Sequence, residues 1–126
     1  MSDAKEKTLA LLSSTSSVDM KTGGATTLYT VPVGKTCRIS HVVVRDPSAS
    51  MAGGSDYDFT QWKQTVTLVT LTTAGTDYIV ITGDHLTTGI NVKYQELAAS
   101  ATFQITVNTG TDAACTATID VFGYLA

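Results

Sequence analysis

Any chemistry in this chain would have to start from very few groups: two histidines, His41 and His85, two cysteines, Cys37 and Cys115, and the closely spaced carboxylates Asp56 and Asp58. A hydrolytic nucleophile needs a base beside it, and the nucleophile-elbow pattern G-x-S-x-G is absent; Gly53-Gly-Ser-Asp-Tyr reads as a loop. His41 stands before a run of valines, where a hydrogen-bonded core or interface histidine is expected. At a subunit contact its protonation would loosen that contact. His85 follows Asp84 in a loop and reads as solvated. Asp56 and Asp58, one residue apart, have a spacing that suits a hard cation such as Ca²⁺. No downstream Glu or third Asp completes a binding loop, so they read as solvated acids opening a strand. No CxxC pair or His/Cys cluster suggests zinc, and no glycine-rich phosphate loop precedes a helix. The expectation is a chain with no catalytic residue, no metal site and no cofactor.

The densest aromatic group is Tyr57, Phe59 and Trp62. Tyr57 and Phe59 share one strand face and Trp62 takes the other. Exposed, Tyr57 and Trp62 with Asp56 and Asp58 would form a surface that stacks on a sugar or fills a partner's pocket. The competing reading is core plus one interface anchor. Cys37 and Cys115 fall at core parities of two strands and read as buried thiols; a bridge between them would need neighbouring strands with the right Cβ geometry.

These residues must be positioned by strands. The chain has 126 residues, enough for one domain. Threonine is its commonest residue, and β-branched side chains favour a pleated sheet. Charged residues make up 15%, against a usual share of about 25%. Either neutral Thr and Ser coat the surface, or partners cover part of it. A net charge of −3 with scattered basic residues argues against nucleic acid as a partner. The start, Met1-Ser-Asp-Ala-Lys-Glu-Lys, mixes both charge signs, and the apolar run 9–12 is too short for a signal peptide. No stretch approaches the roughly 20 apolar residues of a membrane helix. Synthesis in a cytoplasm and no membrane partner are therefore expected.

Residues 1–16 differ from the rest. Asp3 and Glu6 suit a capping box for a short helix carrying Leu9 and Leu12, although the same leucines could start a strand. The polar run 13–17 reads as a loop or tether. The expected organisation is an N-terminal arm over 1–16 and one β-domain over 17–126. Strands are expected at Leu28–Val31, Thr36–Arg45, Tyr57–Trp62, Thr65–Leu71, Tyr78–Thr82, Ile90–Gln95, Thr102–Val107 and Cys115–Val121. The last two alternate cleanly: Phe103, Ile105 and Val107 against Thr102, Gln104 and Thr106, then Cys115, Ala117, Ile119 and Val121 against Thr116, Thr118 and Asp120. In 36–45 neither parity is cleanly polar, so either both faces are covered or a bulge near His41 shifts the register. The segment 46–55 is a long loop of the kind that often carries function. About eight strands with frequent turns argue for an all-β sandwich or barrel, and a jelly roll is preferred because the Cys…Trp…Cys landmark of immunoglobulin-like sandwiches is not matched.

Two stretches carry a resemblance. Leu28-Tyr-Thr-Val-Pro-Val-Gly-Lys-Thr, followed by Ile39-Ser-His-Val-Val-Val-Arg-Asp-Pro-Ser, resembles the "LYTVPAGK" opening of many small phage and prophage virion proteins, head-decoration and tail-associated proteins among them. The ending Thr118-Ile-Asp-Val-Phe-Gly-Tyr-Leu-Ala resembles their last strand and, more distantly, the closing strand of trimeric jelly rolls of the tumour-necrosis-factor and complement-head type. The match covers about a third of the chain. The resemblance implies a jelly roll that forms a homotrimer and attaches to a larger virion scaffold, so that the protein resides in the virion. Val42, Phe122 and Tyr124 are the expected subunit contact, and the arm or the 46–56 loop is expected to meet the particle. The alternative is a carbohydrate-binding module, such as the receptor-binding part of a tail fibre, using Asp56, Tyr57, Asp58 and Trp62.

Overall fold

The computed structural model describes residues 9–59, 65–82 and 96–126. The described residues form eight strands: β1 Ala10–Asp19, β2 Gly24–Thr30, β3 Cys37–Arg45, β4 Asp56–Phe59, β5 Thr65–Val66, β6 Tyr78–Thr82, β7 Thr102–Thr109 and β8 Thr116–Leu125. They build two four-stranded antiparallel sheets, one in the order β1-β8-β3-β6 and the other β2-β7-β4-β5. The chain changes sheet at every connection except β4 to β5. The fold is all-β and sandwich-like.

Period-two patterning decides which side chains enter the core. Ile119 and Val121 of β8 share a face with Val42, Val44 and Ile81, and meet Phe103, Ile105, Tyr57 and Phe59 of the second sheet in one buried cluster. Phe59 stacks on Phe103 with ring centroids 5.7 Å apart. Cys37 and Cys115 are both buried and both free. Burial pushes the Cys37 thiol up to about 11.

The mixed faces of β3 resolve as a bulge. Its register against β8 shifts between Ile39 and His41. Before the bulge Cys37 and Ile39 point inward; after it Val42 and Val44 do, and His41 and Val43 turn outward. Gly123 of β8 lies beside this bulge, and a side chain there would collide with the backbone carbonyl of Arg38.

The polar run 13–17 is part of a strand, not a tether. β1 pairs with β8 from Ala10↔Gly123 to Asp19↔Thr116, with register shifts between Leu11 and Ser13 and between Thr15 and Val18. Ser17 takes a positive φ of 57° at the second shift. Of the expected arm over 1–16, residues 10–16 are therefore in the sheet, while 1–8, with Asp3 and Glu6, lie outside the described residues. The expected strand Ile90–Gln95 also lies outside them.

The long 46–55 loop is fastened at one end of the sandwich. Ser48 donates its backbone N–H to Thr116, Met51 to Leu71 and Gly54 to Met51, while Pro47 accepts from Gly75 and Ala52 from Asp112. Met51 is fully buried beneath it. Such bonding satisfies the loop's backbone internally and removes much of its freedom.

Candidate functional site: the outer face of the β1-β8-β3-β6 sheet

Among the described residues the two sheets differ in what they present to solvent. On the outer face of β2-β7-β4-β5 lie Ala25, Thr27, Gln104, Thr106, Asn108, Asp56 and Asp58. Asn108 Nδ2 donates to Asp56 Oδ1 at 3.1 Å and to Asp58 Oδ2 at 2.7 Å, so the two acids share one amide. Among the described residues no group of three or more His, Cys, Asp or Glu could hold a metal ion.

The outer face of β1-β8-β3-β6 carries apolar and aromatic side chains among polar and charged ones. Cross-strand registers set out its rows. Thr82, His41, Phe122 and Leu11 lie side by side across β6, β3, β8 and β1; Val80, Val43, Asp120 and Ser14 form the next row. Tyr78 and Arg45 continue it at one end, and Arg38 and Tyr124 at the other. Among the described residues the exposed large hydrophobics are Leu9, Leu11, Val33, Tyr78 and Val80; three of them stand on this sheet, and Leu9 immediately precedes it. Leu11 and Tyr78 are 54% and 68% exposed. Exposed apolar side chains gathered on one face are the kind of patch that marks interaction surfaces in folded proteins.

His41 and Phe122 stack with centroids 4.5 Å apart and an interplanar angle of 9°. Ser40 Oγ lies 3.1 Å from His41 Nδ1. Beside them Asp120 is only 9% exposed, although it points away from the core. Arg45 Nε donates to its Oδ2 at 2.8 Å and Ser14 Oγ to its Oδ1 at 2.6 Å. Burial raises the pKa of Asp120, but the bonds from Arg45 and Ser14 and the charge of Arg45 outweigh it and hold the carboxyl below its ordinary value. Arg45 Nη1 also donates to Asp46 Oδ2 at 2.6 Å. Arg45 is thus held between two carboxylates.

The structure separates the residues expected at contacts. Phe122 and Tyr124 lie on the outer face, half-buried and available to a partner. Val42 does not: it is 0% exposed and packs in the core. Simple alternation groups Val42 with Arg38 and Ser40, and the bulge reverses that assignment. Tyr57 is also 0% exposed, and its hydroxyl donates to the Met20 carbonyl at 2.8 Å inside the molecule. It offers no ring to a sugar, and Trp62 lies outside the described residues. Asp56 and Asp58 stay at the surface, as expected. The sequence reading missed Leu11, Val43, Tyr78 and Val80 as members of one surface; the signal available was the apolar content of both parities in β3 and β6.

Comparison of the chain with protein-family models, curated proteins and solved structures finds no match.

Proposed function

We propose that this chain is a non-enzymatic structural protein of a phage particle, a capsid-decoration or tail-associated component, that assembles with copies of itself. The observation that carries the self-assembly is the outer face around Phe122: Leu11, His41, Val43, Tyr78, Val80 and Tyr124 on one sheet, against an opposite sheet whose described outward residues are mostly polar. The cations of this face are met on their own surface, Arg45 by Asp120 and Asp46 and Arg38 by Glu96 at 3.8 Å, so a second copy would not bring two unpaired cations together.

The strand order β1-β8-β3-β6 facing β2-β7-β4-β5, with the chain passing between the sheets at almost every connection, supports reading the sandwich as a jelly roll. The likeness of 28–48 and 118–126 to small virion proteins, and of the ending to trimeric jelly rolls, supports a closed three-fold assembly on a larger scaffold. Burial of the Phe122 face between subunits would supply the association energy, with no bound small molecule required.

Substitution on the two outer faces tests the assembly. Phe122→Ser combined with Leu11→Ser is expected to leave a folded chain that no longer associates, while Thr27→Ser combined with Gln104→Ser leaves association intact. Equal behaviour of the two pairs would overturn the assignment of the face. The particle role is tested by pelleting phage particles from a lysate of producing cells. The chain is expected in the pellet, and a chain left wholly in the supernatant would overturn that role.

A further inference from the structure

We infer that residues 10–16 exchange between copies, the strand leaving its own β8 at Ser17 and pairing with β8 of a second copy. The inference rests on the proposed self-association, which brings the copies together. β1 is the edge strand of its sheet, and its second register shift, between Thr15 and Val18, divides it in two. The part after the shift is fixed in its own core. Val18 and Met20 are buried, the Met20 N–H donates to the Cys115 carbonyl, and Asp19 Oδ1 accepts from the N–H groups of Lys21 and Thr22. The part before the shift is held lightly. No side chain from Ala10 to Ser17 is buried, and Leu12 is the one hydrophobic of that stretch that packs against the core. Between the two parts stands Ser17, whose φ of 57° lies in the left-handed region that a side chain disfavours.

Backbone pairing with β8 holds 10–16, together with Ser14 Oγ donating to Asp120 Oδ1 at 2.6 Å and Ser13 Oγ donating to the Leu28 carbonyl at 2.7 Å. A second copy presents β8, Asp120 and Leu28 in the same arrangement, so each of these bonds can be made on it equally well. What differs is the hinge. In the closed chain Ser17 stays in its disfavoured conformation; in the exchanged chain it can take extended backbone, and that strain is released. Little apolar surface is uncovered while the segment moves, which places its opening at the low-stability end of the fold. Leu11 stands beside Phe122 at this flank of the sheet, so a copy seated on the Phe122 face lies next to the moving segment. In a closed three-fold ring each chain gives its segment to the next and receives one in return, and every β8 keeps a partner.

The test is disulfide trapping in the assembled chain at pH 8, read on a non-reducing denaturing gel. Ser14→Cys with Asp120→Cys sets two thiols opposite each other across the β1–β8 ladder within the moving segment, and Ser13→Cys with Val121→Cys does the same one residue earlier, so whichever variant folds decides. Exchange is expected to join chains to one another, with bands at about two and three times the single-chain mass of 13.2 kDa. Asp19→Cys with Thr116→Cys, in the fixed part of the strand, is expected to close within one chain. Closure within one chain for the Ser14 or Ser13 pair, in a protein that light scattering shows to be assembled, would overturn the exchange and leave the assembly standing. Joined chains from the Asp19 pair would overturn the hinge at Ser17. An unmodified chain of 13.2 kDa at pH 8 by light scattering would overturn the assembly itself, and the inference with it.

Discussion

Arg45 Nε donates to Asp120 Oδ2 at 2.8 Å, joining β3 to β8 on the outer face at a carboxylate only 9% exposed. Asp120 stabilises the fold in its ionised form. Its carboxyl sits below its ordinary value in the folded chain, so its contribution is fully present above the unfolded value of about 3.9 and is lost as pH falls through the lower folded value. Asp120→Asn is expected to cost about 1–3 kcal/mol at pH 7, through the loss of charge-assisted bonds. It should also flatten the acid limb of the stability profile below about pH 4. Urea unfolding from pH 3 to pH 7 measures both; a variant with the same acid limb as the parent would contradict the account.

Gly123 is constrained by the β3 bulge. A Cβ at this position would meet the Arg38 carbonyl oxygen, a backbone atom fixed by the sheet, and would come within 3.0 Å of Leu12 Cδ1. Gly123→Ala is expected to destabilise the fold by about 3 kcal/mol, as overpacking against an immobile neighbour does. Denaturant unfolding reads this directly, and an unchanged midpoint would mean that the bulge sits elsewhere.

Tyr57 is a structural residue. Burial pushes its hydroxyl up to about 12, and that hydroxyl is bonded to the Met20 carbonyl. Tyr57→Phe removes one of two bonds to that carbonyl, which keeps the Thr111 N–H at 3.0 Å, and is expected to cost about 1 kcal/mol. Any surface binding activity should be untouched by this change. A titration in which Tyr57→Phe abolished sugar binding while stability stayed constant would contradict its placement.

The cysteines give a chemical check on the core. Cys37 is buried with its thiol raised to about 11, and Cys115 is 3% exposed. Neither is expected to react with a thiol reagent at pH 7 in the native state, and both should react in guanidinium. Rapid labelling of the native chain would mean that the Cys37 end of the sandwich is open.

Much of the fold was legible in the chain. The alternation of 102–107 and 115–121 marks β7 and β8, and the mixed parities of 36–45 left either two covered faces or a bulge near His41, of which the register shows a bulge between Ile39 and His41. β1 was not legible, because Ser13, Ser14, Ser16 and Ser17 carry no hydrophobic alternation. That strand is held by its backbone pairing with β8 and by Ser14 bonded to Asp120, both long-range. Val42 was misplaced for a related reason: one extra residue in the bulge exchanges inside and outside for every later side chain, and periodicity alone does not say where the exchange occurs. The outer face needed four strands brought together, from residues as far apart as Leu11 and Phe122. No local window contains it.

The solution mass of the unmodified chain at pH 8, by light scattering after size exclusion, tests the central claim most directly. The account predicts about 40 kDa, a closed three-fold assembly of the 13.2 kDa chain with its Phe122 face covered. A single species at 13.2 kDa would contradict it and leave the apolar face without the partner proposed for it.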